Sequence, residues 1–236
     1  MIYYWGYPGG YPATGPYGSY GFAYLWGAYT TYGTLKLSST SPPQSFVEPL
    51  TLTDVKEYLK IPQRSPADPI EDAYITQLIA AARSWAEKEQ GRDLVRKQWD
   101  LVYDYWMSYR IELPPVPLVS VDLVQYKDWN GNVTTMTQDV DYIIDYEKEP
   151  GAILAPYNQM WPTFCAWPSS AVLIRFTSGY DPNDPWWLGD GMVVKNGMRY
   201  LISNWYNRRL PSGETINEWP LTATASLEFG ARRRVY

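Results

Sequence analysis

No histidine occurs in this 236-residue chain, and cysteine occurs once, at Cys165. Without histidine, Ser–His–Asp catalysis, Cys–His catalysis and His-ligated metal centres are excluded by inventory. One cysteine excludes an intramolecular disulfide and any multi-cysteine zinc site. In TFCAWP it reads as a small apolar packing residue, since nothing is present to activate it as a nucleophile. Long apolar runs are missing too, and none approaches the eighteen or so residues needed to cross a bilayer. The first residues lack the basic start and compact apolar stretch of a signal peptide, which predicts a protein that is cytosolic when made. Charge is sparse and slightly acidic: 20 Lys and Arg against 25 Asp and Glu give a net charge of −5. That balance argues against a basic face that grips nucleic acid through its phosphates.

What the chain has in plenty is Tyr and Trp, 22 and 12 of them, beside only 5 Phe. Such a balance suits surfaces that bury an apolar ring while its polar tip finds a partner, so it favours interfaces over a Tyr-rich core. The rings crowd into residues 1–46, where Lys36 is the only charged side chain. Pro8, Pro12 and Pro16 block regular helix there, scattered glycines weaken any strand, and SSTSPPQS closes the segment as a linker. Ordering this backbone costs more than its aromatic burial returns. The segment is therefore expected to be an extended arm that orders only against a partner or neighbouring subunit. Its expected contact residues are Tyr3, Tyr4, Trp5, Tyr7, Tyr11, Tyr17, Tyr20, Tyr24 and Trp26. GYPGGYPATGPYG has no Lys-Ser or Lys-Thr and opens no helix, so it is not a phosphate-cradling loop.

From residue 47 the pattern becomes regular, and 47–236 reads as one domain. Thr51, with Asp54 three residues on, signals a short helix at about 51–60. Ile75, Leu78, Ile79, Ala82, Trp85 and Ala86 form an apolar stripe on a helix at about 70–90, with Gly91 as its stop. A β-rich segment follows at about 98–180, including a strand near 118–127 and an Asn130–Gly131 hairpin turn. Val194, Met198, Leu201, Ile202 and Trp205 mark a third helix at about 190–209, although Gly191 and Gly197 weaken its first half. Helix, helix, β-insertion, helix and tail predict an α+β fold, a small helical bundle with an inserted β-rich segment.

Carboxylates are the remaining candidates for chemistry. Asp100 and Asp104 share one predicted strand, while Asp139, Asp141 and Asp145 flank another. Paired carboxylates can bind Mg²⁺ or hydrolyse glycosides, but no Asp-x-Asp-x-Asp-Gly loop is present and solvated strand edges carry such residues routinely. No catalytic, cofactor-binding or metal-binding residue is assigned. The tight basic cluster, ARRRVY, ends a tail at 221–236. It reads either as a solvated terminus or as a docking tail. In the docking tail, Leu227 and Phe229 anchor, Arg232, Arg233 and Arg234 meet carboxylates of another chain, and Tyr236 ends the contact.

Taken in order, Leu59–Ile61, Gly91–Arg92, Trp99, Leu113–Val121, Phe176–Tyr180 and Trp205–Arg208 resemble the motifs of the phage head–tail connector (adaptor) family. The resemblance spans about residues 50–236. It implies a helical bundle with a β-rich insertion, assembled as a ring of usually twelve copies beneath the portal protein, with the C-terminal segment in a portal groove. Further partners implied are a tail, stopper or nozzle protein and double-stranded DNA passing through the lumen without specific binding. No membrane, cofactor or enzymatic activity is implied. The location would be the virion neck, reached from the host cytoplasm during assembly. An acidic lumen would let a genome pass without sticking. The arm has no counterpart in the family pattern. A different class, an aromatic-rich carbohydrate- or surface-binding virion module, also fits the ring content, and hydrolytic or metal-dependent catalysis at Asp100 or Asp141 comes third.

Overall fold

The computed structural model describes residues 33–38, 47–62 and 68–208, together with the backbone of Tyr29–Thr30. In chain order the strands and helices are β1 (Tyr29–Thr30), β2 (Gly33–Leu37), α1 (Leu52–Tyr58), α2 (Pro69–Gln90), β3 (Lys97–Tyr103), β4 (Arg110–Glu112), β5 (Leu118–Lys127), β6 (Val133–Thr135), β7 (Ile143–Asp145), β8 (Ala152–Leu154), β9 (Val172–Ser178) and α3 (Asp190–Asn207). The fold is α+β, as the sequence predicts.

The helices start where local chemistry dictates. Thr51 Oγ1 accepts from Asp54 N at 3.1 Å while Asp54 Oδ2 accepts from Thr51 N at 3.0 Å, a reciprocal cap that satisfies two orphan donors of α1. Asp68 caps α2 by accepting from Ile70 N and Glu71 N, with Pro69 at the first position, where its missing N–H costs nothing. Gly91 ends α2 at φ 60, in the left-handed region that favours glycine. The predicted weak spot in α3 is a packing device: a Cβ on Gly191 would meet the Trp186 and Trp187 rings at 2.7–2.8 Å. These rings belong to a short 3-10 turn, Pro185–Leu188, which leads into α3.

Two hydrophobic cores result. Ile75, Ile79, Ala82 and Ala86 of α2 face Val194, Met198, Leu201 and Ile202 of α3, with Val55 of α1 and Leu50 completing the helical core. The second core lines one face of a six-stranded antiparallel sheet, order β1-β2-β3-β9-β5-β6. Trp99 and Leu101 of β3, Ile174 and Phe176 of β9 and Val124 of β5 lie at its centre. A small sheet, order β4-β8-β7, contributes Ile111 and Ile153 to the same core.

The sheet departs from the sequence reading at its edge. Gly33–Leu37, placed in the extended arm, pairs in antiparallel register with β3, from Gly33↔Tyr103 to Leu37↔Trp99. The physical reason is local. GTLKL carries no proline and alternates Leu35 and Leu37 with Thr34 and Lys36, a period-two pattern that a half-buried strand requires. Docking it removes β3 from the edge of the sheet.

β3 and β9 leave little room where they begin and end. Gly179 sits at φ +100, and a Cβ there would lie 2.1 Å from the Val95 carbonyl oxygen. Gly179→Ala is therefore expected to cost about 2 kcal/mol or more of unfolding free energy, read as a lower urea midpoint. An unchanged midpoint would show that the backbone relaxes there without cost.

Candidate assembly interface

Three of the motif segments, Gly91–Arg92, Leu113–Val121 and Phe176–Tyr180, meet at the junction between the two cores, while Leu59, Ile61 and Trp205 pack on the helical core. Asp93 N donates to Val116 O at 2.9 Å and Gly179 N to Pro117 O at 3.0 Å, which pins the end of α2, the proline-rich bend and the end of β9 together. Arg92 holds a forked contact with Glu149, Nη2 to Oε2 at 2.6 Å, and also donates to the Tyr180 hydroxyl. Burial works against the Arg92 charge, but Tyr180 and Glu149 outweigh it and hold the guanidinium above its ordinary pKa. Burial also pushes the Tyr180 phenol up, with Arg92 opposing. The Tyr180 ring stacks on Trp186 at 4.1 Å, and Lys195 lies 4.7 Å above the Trp187 ring.

Beneath this surface lies a buried charge cluster that the sequence reading missed. Lys97 Nζ donates to Glu87 Oε2 at 2.6 Å and to Asp93 Oδ1 at 3.1 Å, and all three side chains are buried. Arg83 donates to the same Glu87 oxygen at 3.0 Å and reaches Glu48 at 2.8 Å. The remaining lone pairs are used as well. Trp99 Nε1 and Ser178 Oγ donate to Asp93 Oδ2, and Leu94 N donates to Glu87 Oε1. Burial raises the Glu87 pKa, with Lys97 and Arg83 pulling against that rise. The signal available in sequence was faint, because Lys97 follows Arg96 and precedes Gln98 and so reads as an ordinary polar strand start.

Four of the five carboxylates weighed for catalysis hold structural contacts. Asp100, expected at a solvated edge, is 3% exposed in a central strand. It takes a two-pronged contact from Arg175, at 2.7 and 3.0 Å. The reason is β2, which covers the flank of β3 that would otherwise be the edge. Asp104 accepts from Ser170 N, Asp141 from Thr137 N, and Asp145 from Arg110, whose hydrogen bond holds that carboxyl below its usual range. Asp139 is exposed, at φ 63. Among the described residues no three His, Cys, Asp or Glu side chains group as metal ligands. A depression of about 210 Å³ beside Lys36, Val102 and Leu173 is open and falls below the roughly 300–1,000 Å³ of small-molecule sites.

Contact surfaces are better developed. The loop at 155–169 is fastened by rings: Trp161 stacks on Trp106 at 4.6 Å, and Phe164 packs against Tyr126 at 4.7 Å and Tyr105 at 5.4 Å. Cys165, expected as a packing residue, is exposed on this loop, because the neighbouring rings supply the packing and its own role is a carbonyl that accepts from Trp129 N. The predicted contact residues Tyr3, Tyr4, Trp5, Tyr7, Tyr11, Tyr17, Tyr20, Tyr24 and Trp26 lie outside the described residues, as do Leu227, Phe229, Arg232, Arg233, Arg234 and Tyr236. Among the described residues no helix is long and apolar enough to cross a membrane.

Comparison with solved structures gives this geometry a context. A chain from the neck of an empty gene transfer agent (GTA) particle, computed with C6 symmetry, superposes with a TM-score of 0.64 at 19% identity. The match covers 86% of this chain and 97% of that one. The chain has the fold of a gene transfer agent neck protein. A chain from the virion of the native GTA particle matches at TM-score 0.63 and 18% identity, again covering 86% of this chain and 97% of the other. One from the native GTA neck, computed with C12 symmetry, matches at 0.53 and 20%, over 82% of this chain and 98% of the other. No protein-family model and no curated protein matches the sequence. The shared fold thus extends over nearly the whole length of the neck chains.

Removing one member of the buried cluster strands its partners. Lys97→Met leaves Glu87 and Asp93 facing each other in the interior and is expected to cost roughly 3–5 kcal/mol in chemical denaturation. A loss below 1 kcal/mol would contradict the cluster's role. The cluster also has a pH signature. Because the folded Glu87 pKa is raised, its protonation stabilises the fold below its unfolded pKa, and that contribution is lost as pH rises through the folded value. With Glu87→Gln as reference, the wild-type minus variant unfolding free energy is expected to grow as pH is lowered from about 7 towards 4. A difference that shrinks over that span would reverse the sign.

Proposed function

We infer that this chain is a structural virion protein, a neck adaptor that forms a ring between the portal and a tail, stopper or nozzle protein. The observation that carries this reading is the fold match along nearly the entire length of GTA neck chains. The neck reconstructions that contain this fold were computed with C6 and C12 symmetry, and both accord with the ring of twelve that the family resemblance implies. The working location is the virion neck, reached from the host cytoplasm during assembly, and the ring works without catalysis.

Several features suit such a part. Two cores joined by a buried ion cluster suit a subunit that must repeat one geometry around a ring. Asp100, Asp104, Asp141 and Asp145 are taken up by structural contacts, which supports a structural role over a catalytic one. A net charge of −5 per chain, multiplied around a pore, gives a lumen that repels DNA phosphates and lets the double helix pass without specific binding. The C-terminal residues Leu227 and Phe229 serve as apolar anchors in a portal groove, while Arg232, Arg233 and Arg234 pair with portal carboxylates and Tyr236 closes the contact.

The purified chain mixed with its portal is expected to form a discrete multimer of about twelve copies by mass photometry. Deleting 221–236 is expected to abolish that species while leaving the circular dichroism spectrum of the domain unchanged. A truncated chain that still assembles on the portal would remove the tail from the docking contact. A full-length chain that never multimerises on the portal would overturn the adaptor reading.

A further inference from the structure

The two most exposed large apolar residues described are Tyr157 and Met160, at 92% and 89%. Both sit on the 155–169 loop, and the fold holds that loop firmly. Trp161 is stacked on Trp106 and its Nε1 donates to Ser108 O at 2.7 Å; Phe164 lies between Tyr105 and Tyr126. Trp167 N donates to Lys127 O, and the Lys127 ammonium sits 3.9 Å over the Trp167 ring. A loop fastened at so many points has already met its ordering cost, so contacts made by Tyr157 and Met160 would appear directly as affinity.

The chemistry of the loop narrows its partner. No charged side chain stands between Glu149 and Arg175. With no cation, the loop has nothing to neutralise a phosphate, which sets nucleic acid aside. A charged protein surface laid over it would lose hydration without an opposite charge in return. Exposed Tyr and Met at a protein contact call for a partner that is itself uncharged and rich in rings. This chain contains one such stretch elsewhere: no charged side chain precedes Lys36, and that stretch carries Tyr3, Tyr4, Trp5, Tyr7 and Tyr11 near its start.

The attachment point and the reach of the arm bear on whose stretch it is. The loop is anchored at the end of the sheet marked by Tyr105, Lys127 and Val172, and Val172 pairs with Tyr103, opposite Gly33. β1 pairs Thr30 with Gly33 and Tyr29 with Thr34, so Tyr29, where the arm joins the sheet, lies on the side of β1 away from that end. Fully extended, the 28 residues preceding β1 span up to about 90–100 Å, enough to reach an adjoining subunit.

We propose that the Tyr157–Met160 loop of each protomer is the docking site for the aromatic arm, residues 1–28, of a neighbouring copy. The proposal rests on the ring reading above, and the experiment separates the two. Full-length chain carrying Tyr157→p-benzoylphenylalanine is mixed with isotope-labelled wild-type chain, assembled on the portal, sized and irradiated. Wild-type chain labelled at exposed Cys165 with a maleimide benzophenone serves as a second probe that alters neither Tyr157 nor Met160.

Both probes are expected to cross-link to peptides from residues 1–28 of the other isotope, and the cross-link is expected to vanish in unassembled chain. Multimers whose probes capture the arm of the same chain, another part of the neighbour, the portal, or nothing overturn the docking while leaving the ring intact. Failure to multimerise overturns the ring reading and the docking together.

Discussion

Everything else in this molecule is arranged around the salt-bridged contact of Lys97 with Glu87 and Asp93. Glu87 closes the last turns of α2, Lys97 opens β3, and Asp93 sits in the connection between them. Such a contact is expensive to build, since ions taken from water must be repaid by near-ideal geometry. Here the repayment is full: Trp99, Ser178 and the Leu94 amide use the carboxylate oxygens left over. The result fixes the angle at which the helical core meets the sheet. A hydrophobic contact of similar size would hold the two cores together but would tolerate sliding, because apolar attraction has no direction.

In the proposed ring, this junction is what would link fold to assembly. A ring closes only if every subunit presents the same angle between the surface it offers and the surface it receives. The Arg92–Glu149–Tyr180 contact and the Tyr180–Trp186–Trp187 stack extend the lock to the β7–β8 turn and the start of α3. Aromatic rings are thereby used to fasten the domain internally. The surplus of Tyr and Trp is thus divided, since Trp99, Trp106 and Trp187 are buried while Trp129 and Tyr157 face solvent.

The helices were legible because their signals are local. Thr51 with Asp54, Pro69 with Gly91, and the stripes of α2 and α3 all lie within one element. β5 was equally plain, bounded by a proline bend and an Asn-Gly turn. What escaped depended on partners distant in sequence. Asp100 reads as an ordinary strand acid until Arg175 on β9 is placed beside it. Cys165 reads as a core residue until Trp161 and Phe164 are seen to take the core positions around it. Gly33–Leu37 was hidden by company, a good strand pattern inside a segment whose composition argues against strands. The expected docking tail and arm contacts are legible only as chemistry, and both lie outside the described residues.

A ring of contacts, with chemistry left to other proteins, is the central claim. Cryo-electron microscopy of the neck in mature particles tests it most directly. The account predicts a ring of about twelve copies of this fold directly beneath the portal, with the double helix passing through an acidic lumen. A neck in which this chain is solitary, or lies away from the axis with no copy beside it, would contradict the account.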